Sequence, residues 1–379
     1  MAFLRKPHLW LALLLVLLVE LALRTPVTAL LQSGASHTGR SLQLQSALRE
    51  RGEGINVITI GNSIAEYGID HAALGQALRS HGLEYASLAM PGGHLLTLRT
   101  LTRYAQEELP ELRAAVVVIN LTEFESVGNG SYELAIAQPW LRFGDWSWTA
   151  EHVPLDRSEP STLGSISALA GYRHQMQFLA RKPSRLAKAL RWWGWPSLDE
   201  RLWVTGRKTE GLCGMDLTSL PACLDASRPV DLTLTSAETA TATRASCALL
   251  KIDTGKGDWR GHDLEAESPV FKRMRELRQQ QLRELPSHAP PLLVLMPLHP
   301  LWEQERLAVG VRDWVTQIHG PLAERGEIRM LDLSRIFEAS GMQPCEYFGD
   351  IWHLNTKGQA LTTAAIRQAL WEQLQLPPE

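Results

Sequence analysis

From residue 55 the apolar positions come in short unbroken runs separated by stretches of helical period. Ile55 to Ile60 is apolar on both faces, the pattern of a strand buried within a parallel sheet. Ile69 to His81 predicts a helix, with Asp70 at its N-cap, Leu74, Ala77 and Leu78 on one face, and Gly82 at its end. Tyr85 to Met90 predicts a second strand, closed by Pro91-Gly92-Gly93-His94, and Leu95 to Glu108 a second helix, stopped near Pro110. Ala114 to Leu121 predicts a third strand. This alternation of strand and helix predicts an α/β fold with a doubly wound parallel sheet.

The regularity stops between Glu125 and Leu285, where Trp-, Pro- and Thr-rich pieces mix with basic helical stretches around 181–191 and 271–285. Sheet pattern resumes at Pro291 to Pro297, followed by a helix over 302–318, a strand over 328–333 and a last helix from about Thr356 to Leu374. The expectation is one five-stranded domain in two halves, 52–124 and 286–379, with 125–285 inserted between the third and fourth strands. Ligands of such sheets bind outside the carboxyl ends of the strands, so an insertion there reads as a cap or substrate-selecting lobe. A surface lobe without catalytic duty is the alternative.

Residues 1–31 carry a different pattern. A basic start with Arg5, Lys6 and His8 precedes an apolar run from Leu9 to Leu23, which predicts an export segment with the body of the protein outside the cytoplasm. Two versions remain open: a signal peptide cleaved after Ala29, or an uncleaved single-span anchor extending through Leu31, with Glu20 and Arg24 one turn apart. The stretch from Leu42 to Arg51 reads as a link between this segment and the domain.

Composition narrows the functions. The 379 residues are 45% hydrophobic, enough for a substantial core, and the formal net charge of -3 leaves no basic footprint for nucleic acid. Cys213, Cys223, Cys247 and Cys345 show no metal-ligand spacing, and no cofactor motif is present. Cys213 and Cys223 are spaced for a local disulfide in an oxidising compartment, but spacing alone does not choose among the pairings. Thirteen Trp, many of them between Trp140 and Trp203, suggest an aromatic surface in the insertion, or simply large packing material.

The candidate chemistry lies at the ends of the strands. The first strand runs into Gly61-Asn62-Ser63, a turn that can present a serine hydroxyl at the top of a sheet. Near the other end of the chain, Asp350 stands three residues before His353, so one loop carries a base and the carboxylate that orients it. The expected roles are Ser63 as nucleophile, His353 as base and Asp350 as orienting acid. The backbone N–H of Gly92 and the amide of Asn120, or Thr122 in its place, are the expected oxyanion donors. His299, between Pro297 and Pro300, faces the same edge, either to contact substrate or as loop packing.

Gly61-Asn62-Ser63, a glycine at Gly92, Asn120 and Asp350-x-x-His353-Leu354, in this order, resemble the four sequence blocks of the SGNH (GDSL-type) hydrolase superfamily. Within it, the export segment and the sequence from Ser63 to Asp70 resemble membrane-anchored bacterial members associated with O-acylation of exported polysaccharides. The resemblance covers about 55–123 and 290–374 and departs from the family at Asn62 and at the residue before Asn120. It implies a serine esterase or O-acyltransferase, with acetyl the expected acyl group. It also implies a carbohydrate or envelope-glycan substrate and a membrane acyltransferase as partner. A non-catalytic envelope component that keeps the fold and binds glycan is the competing expectation.

Overall fold

The computed structural model describes residues 7–23, 37–119, 136–142, 145, 148–149, 197–203, 269–300, 311–338, 341, 346–350 and 352–377. Helices α1 (Pro7–Leu23) and α2 (His37–Arg51) precede strand β1 (Ile55–Gly61), helices α3 (Ser63–Gly68) and α4 (His71–Ser80), β2 (Glu84–Ala89), α5 (Leu95–Glu108) and β3 (Ala114–Ile119). Helices α6 (Leu198–Leu202) and α7 (Pro269–Glu284) lead to β4 (Leu292–Leu295), α8 (Val311–Glu324), β5 (Arg329–Asp332) and α9 (Thr356–Leu374).

The five strands form one parallel sheet in the order β2-β1-β3-β4-β5. Every residue of β3 and β4 is buried, which requires cover on both sheet faces and explains why their sequences are apolar without alternation. The order reverses direction between β1 and β3, so the crevice at their carboxyl ends is the topological switch point. Register fixes which loops meet there: Gly61 pairs with Ala89, Ile60 with Val117, and Ile119 with Leu295.

Two helices extend the domain beyond the boundaries expected from sequence. Leu44, Ala47 and Leu48 of α2 join the main core, so the stretch read as a link belongs to the packed domain. Helix α7, placed by its sequence in the insertion, sends Leu282 into the same core together with the following Leu285. Its Gln281 donates to the Leu95 carbonyl at the start of α5, 3.0 Å away. It therefore packs as a crossover helix between β3 and β4.

Helix α6 covers the open edge of β2. The Trp203 indole N–H donates to the Tyr85 carbonyl at 2.9 Å, its ring lies beneath the Arg79 guanidinium at 4.4 Å, and Arg79 pairs with Asp199 at 2.7 Å. An unpaired edge strand is a template for association, and an indole anchored to its backbone blocks that. Trp140 is also buried, edge-on to Tyr104 of α5. These two tryptophans are packing material.

Helix α1 is apolar all round, and Leu11, Leu15 and Leu21 are each more than 60% exposed. At 17 residues it is about 25 Å long by helical rise. Among the described residues no helix is long and apolar enough to cross a membrane. All four cysteines lie outside the described residues.

Removal of the edge cover costs stability. The Trp203→Ala substitution is expected to destabilise the domain by about 3–5 kcal/mol, and Trp203→Phe by less, because the phenyl refills the space but not the hydrogen bond. Equilibrium urea unfolding checks this, and an unchanged midpoint for the alanine variant would contradict the packing role.

Candidate active site

At the end of β1 the chain turns without room for a side chain at Gly61: a Cβ there would meet Ala65 and Val118. Asn62 then caps α3, its Oδ1 accepting the Ile64 N–H at 2.9 Å, so Ser63 is the first residue of the helix. Ser63 is half-buried at the carboxyl edge of the sheet, beside the switch point. Beyond β2 the turn continues the same edge. Met90 donates to the Gly61 carbonyl at 2.8 Å, Gly92 takes a left-handed φ of 73° that favours glycine, and Gly93 donates back to Met90 at 2.8 Å.

The second loop is held by its own backbone. Phe348 and Leu354 form an antiparallel bridge, and the Gly349 N–H donates to the His353 carbonyl at 2.9 Å. Asp350 sits in the bend. Its Oδ1 accepts the N–H groups of Trp352 and His353, both at 2.7 Å, and its Oδ2 accepts from His353 Nδ1 at 2.8 Å. Burial alone would raise the Asp350 pKa, but the His353 bond and the two backbone donors outweigh it and hold the carboxyl below its ordinary value. An ionised carboxylate only accepts, so the Nδ1 proton faces Asp350; in the neutral imidazole Nε2 then carries the lone pair, the tautomer a general base needs.

Asn355 ends the loop and starts α9. Its Oδ1 accepts from Lys357 and Gly358 at 2.9 and 3.0 Å, while its Nδ2 donates to the Glu346 carbonyl at 2.7 Å. The first turns of α9 then reach the region of Ser63. Asp70 N–H donates to Thr363 Oγ1 at 2.8 Å, and the Thr362 hydroxyl faces the Gly68 carbonyl as well as those of its own preceding turn.

The fold thus brings the two stretches, some 290 residues apart, to one place. The contact between them is made by Tyr67, four residues beyond Ser63 on the same helix. Its ring centroid lies 4.4 Å from that of His353, with the planes tilted by 38°. Among the described residues Ser63 makes no hydrogen bond to His353; such bonds commonly tighten only when substrate is bound. Asn120 and Thr122 lie outside the described residues, immediately past the end of β3. His299 is 1% exposed and packs edge-on to Phe348 at 5.1 Å. Burial lowers its pKa to about 4 against the opposing Asp350 charge, so it is a neutral group beneath the loop. No group of residues that could hold a metal ion occurs among the described residues.

Sequence reasoning did not single out what holds α3. Glu66 forms a buried ion pair with Arg40 of α2 at 2.6 Å. His71 Nε2 donates to the Ala65 carbonyl at 3.1 Å, which leaves Nδ1 to accept from the Tyr85 hydroxyl at 2.6 Å. The tyrosine oxygen in turn lies 2.8 Å from the Thr59 hydroxyl, and proton supply along the chain makes Thr59 the donor. His71, Tyr85 and Thr59 are each fully buried. Compared with known proteins, the chain matches no family model and no curated protein sequence.

This buried imidazole makes stability depend on pH. Burial, aided by the Arg40 charge and opposed by the Ala65 bond, lowers the His71 pKa from 6.5 to about 3. Between those values the unfolded chain binds a proton that the folded chain refuses. The contribution is whole above about 6.5 and lost as pH falls toward 3. The urea midpoint is expected to drop between pH 7 and pH 4, and to drop less in His71→Gln. Equal drops would remove His71 as a source.

Proposed function

We propose that the chain is an extracytoplasmic serine enzyme of SGNH type that cleaves or transfers an O-acyl group, acetyl foremost, on a carbohydrate or envelope glycan. The observation that carries this reading is the Asp350–His353 pair, hydrogen-bonded in the tautomer of a general base and seated through Tyr67 against the helix that Ser63 opens. A structural histidine does not need a carboxylate fixed by two backbone donors beside a serine at a switch point.

The chemistry follows from these groups. Ser63 Oγ attacks the ester carbonyl while His353 Nε2 takes its proton, and Asp350 offsets the imidazolium charge. The tetrahedral oxyanion needs donors already in place. The Ser63 N–H and the Gly92 turn supply backbone candidates, and Asn120 or Thr122 is the side-chain candidate from the end of β3. Collapse breaks the bond to the leaving alkoxide, which takes the proton from His353, and leaves acyl-Ser63. Water or a sugar hydroxyl, deprotonated by the same imidazole, then attacks the acyl carbon and regenerates the serine. Water gives an esterase and the sugar an O-acyltransferase. Within this proposal the insertion selects the acceptor, a membrane acyltransferase supplies acyl groups, and α1 with the sequence following it to Leu31 anchors the chain.

Two measurements test the proposal. With an aryl acetate, the chain from Leu30 onward is expected to release phenol and gain an acetyl mass on Ser63. Ser63→Ala and His353→Ala abolish release, and Asp350→Asn lowers it on the order of 10⁴-fold by favouring the wrong tautomer. Added oligosaccharide that yields acyl-sugar makes the protein a transferase. No acyl-enzyme, or release indifferent to these substitutions, leaves the glycan-binding component as the better reading. Intact mass of the membrane fraction from cells expressing the full chain is expected to include residues 1–29; a mass beginning at Leu30 would overturn the anchor.

A further inference from the structure

Resting on the acyl-serine reading above, we propose that Tyr67 is a positioning residue for the base: its ring covers one face of the His353 imidazole and holds the Nε2 edge toward Ser63. Tyr67 and Ser63 are four residues apart on α3 and so share a helix face. A long helical side chain leans back over the turn before it, which at Tyr67 is the turn that begins with Ser63. The ring is half-buried and meets the imidazole at 4.4 Å and 38°, close enough to exclude water from that face.

The backbone on either side of Tyr67 is fixed, so the ring is presented from a rigid base. Glu66 is held by Arg40 across a buried ion pair. Gly68 abuts Met296, and its carbonyl faces Thr362 of α9, while the next turn is tied to α9 by the bond from Asp70 to Thr363. Asp350 fixes the imidazole only along its Nδ1 edge, about which the ring can still rock. The tilted ring contact with Tyr67 restricts that remaining freedom. A base that rocks away from the nucleophile loses rate, not affinity for substrate.

The test is kinetic and spectroscopic, on the full chain in detergent. Tyr67→Leu is expected to lower kcat for aryl acetate hydrolysis by about 10- to 100-fold with KM changed less than 3-fold, whereas Tyr67→Phe retains at least half of wild-type kcat. In histidine ring NMR, assigned through His353→Gln, the wild type and Tyr67→Phe are expected to share a ring-current shift at His353 that Tyr67→Leu lacks. Tyr67→Met, of similar bulk but without a ring, controls for a collapsed pocket and should behave as the leucine variant does. Equal kcat in all variants, or a loss shared by Tyr67→Phe, overturns the positioning role. A wild type with no Ser63-dependent turnover instead defeats the enzyme reading, and the NMR shift then still reports whether the contact exists.

Discussion

The tie between the start of α9 and the turn after α3 fixes the one distance that local structure cannot. Asp350 and His353 are set relative to each other within a single loop, by backbone donors and a bridge between Phe348 and Leu354. Ser63 is set relative to the sheet by the Gly61 turn and the Asn62 cap. Neither arrangement says where the other lies. Thr362 and Thr363, facing the Gly68 carbonyl and accepting from Asp70, join the two across nearly the whole domain. Both bonds are short-range and buried or half-buried, so small displacements of α9 would break them.

The sheet supplies the other half of the geometry. In a parallel sheet the in-register ends of β1, β2, β3 and β4 emerge at one edge, and Met90 donating to the Gly61 carbonyl continues the pairing one residue past β2. The Ser63 and Gly92 turns therefore begin as neighbours. This follows from topology and does not depend on what the loops contain, which is why a switch point can host many chemistries.

Much of this was legible in sequence because it is written in local pattern. The five strands, the Asp70 cap, the helix over Leu95 to Glu108 and the last helix from Thr356 to Leu374 all appear where apolar period and breakers put them. The Asp350–His353 pair was legible because both groups share one loop. The packing of helices α2 and α7 into the domain was not, for one physical reason: their buried faces are partly polar. Arg40, Ser41 and Gln45 of α2 turn inward to Glu66, Met90 and the Pro139 carbonyl, and Gln281 of α7 to Leu95. Those partners are distant in sequence, so periodicity alone does not show that these faces are buried. The Tyr67–His353 contact escaped for the same reason, since it exists only once α9 is docked.

The polar groups so hidden concentrate around one short helix. Arg40 with Glu66, and Thr59, Tyr85 and His71 with the Ala65 carbonyl, all converge on α3. Apolar residues of equal volume would hold that helix as firmly, because burying charges and hydroxyls returns little net stability. They would not hold it in one rotation. A turn of α3 about its axis leaves a guanidinium, a carboxylate and an imidazole unpaired in the interior, at about 1–3 kcal/mol for each group and more for the charged ones. That rotation is what sets Tyr67 against the His353 loop, with Ser63 one turn earlier on the same helix. The buried polar set is best understood as the device that fixes their direction.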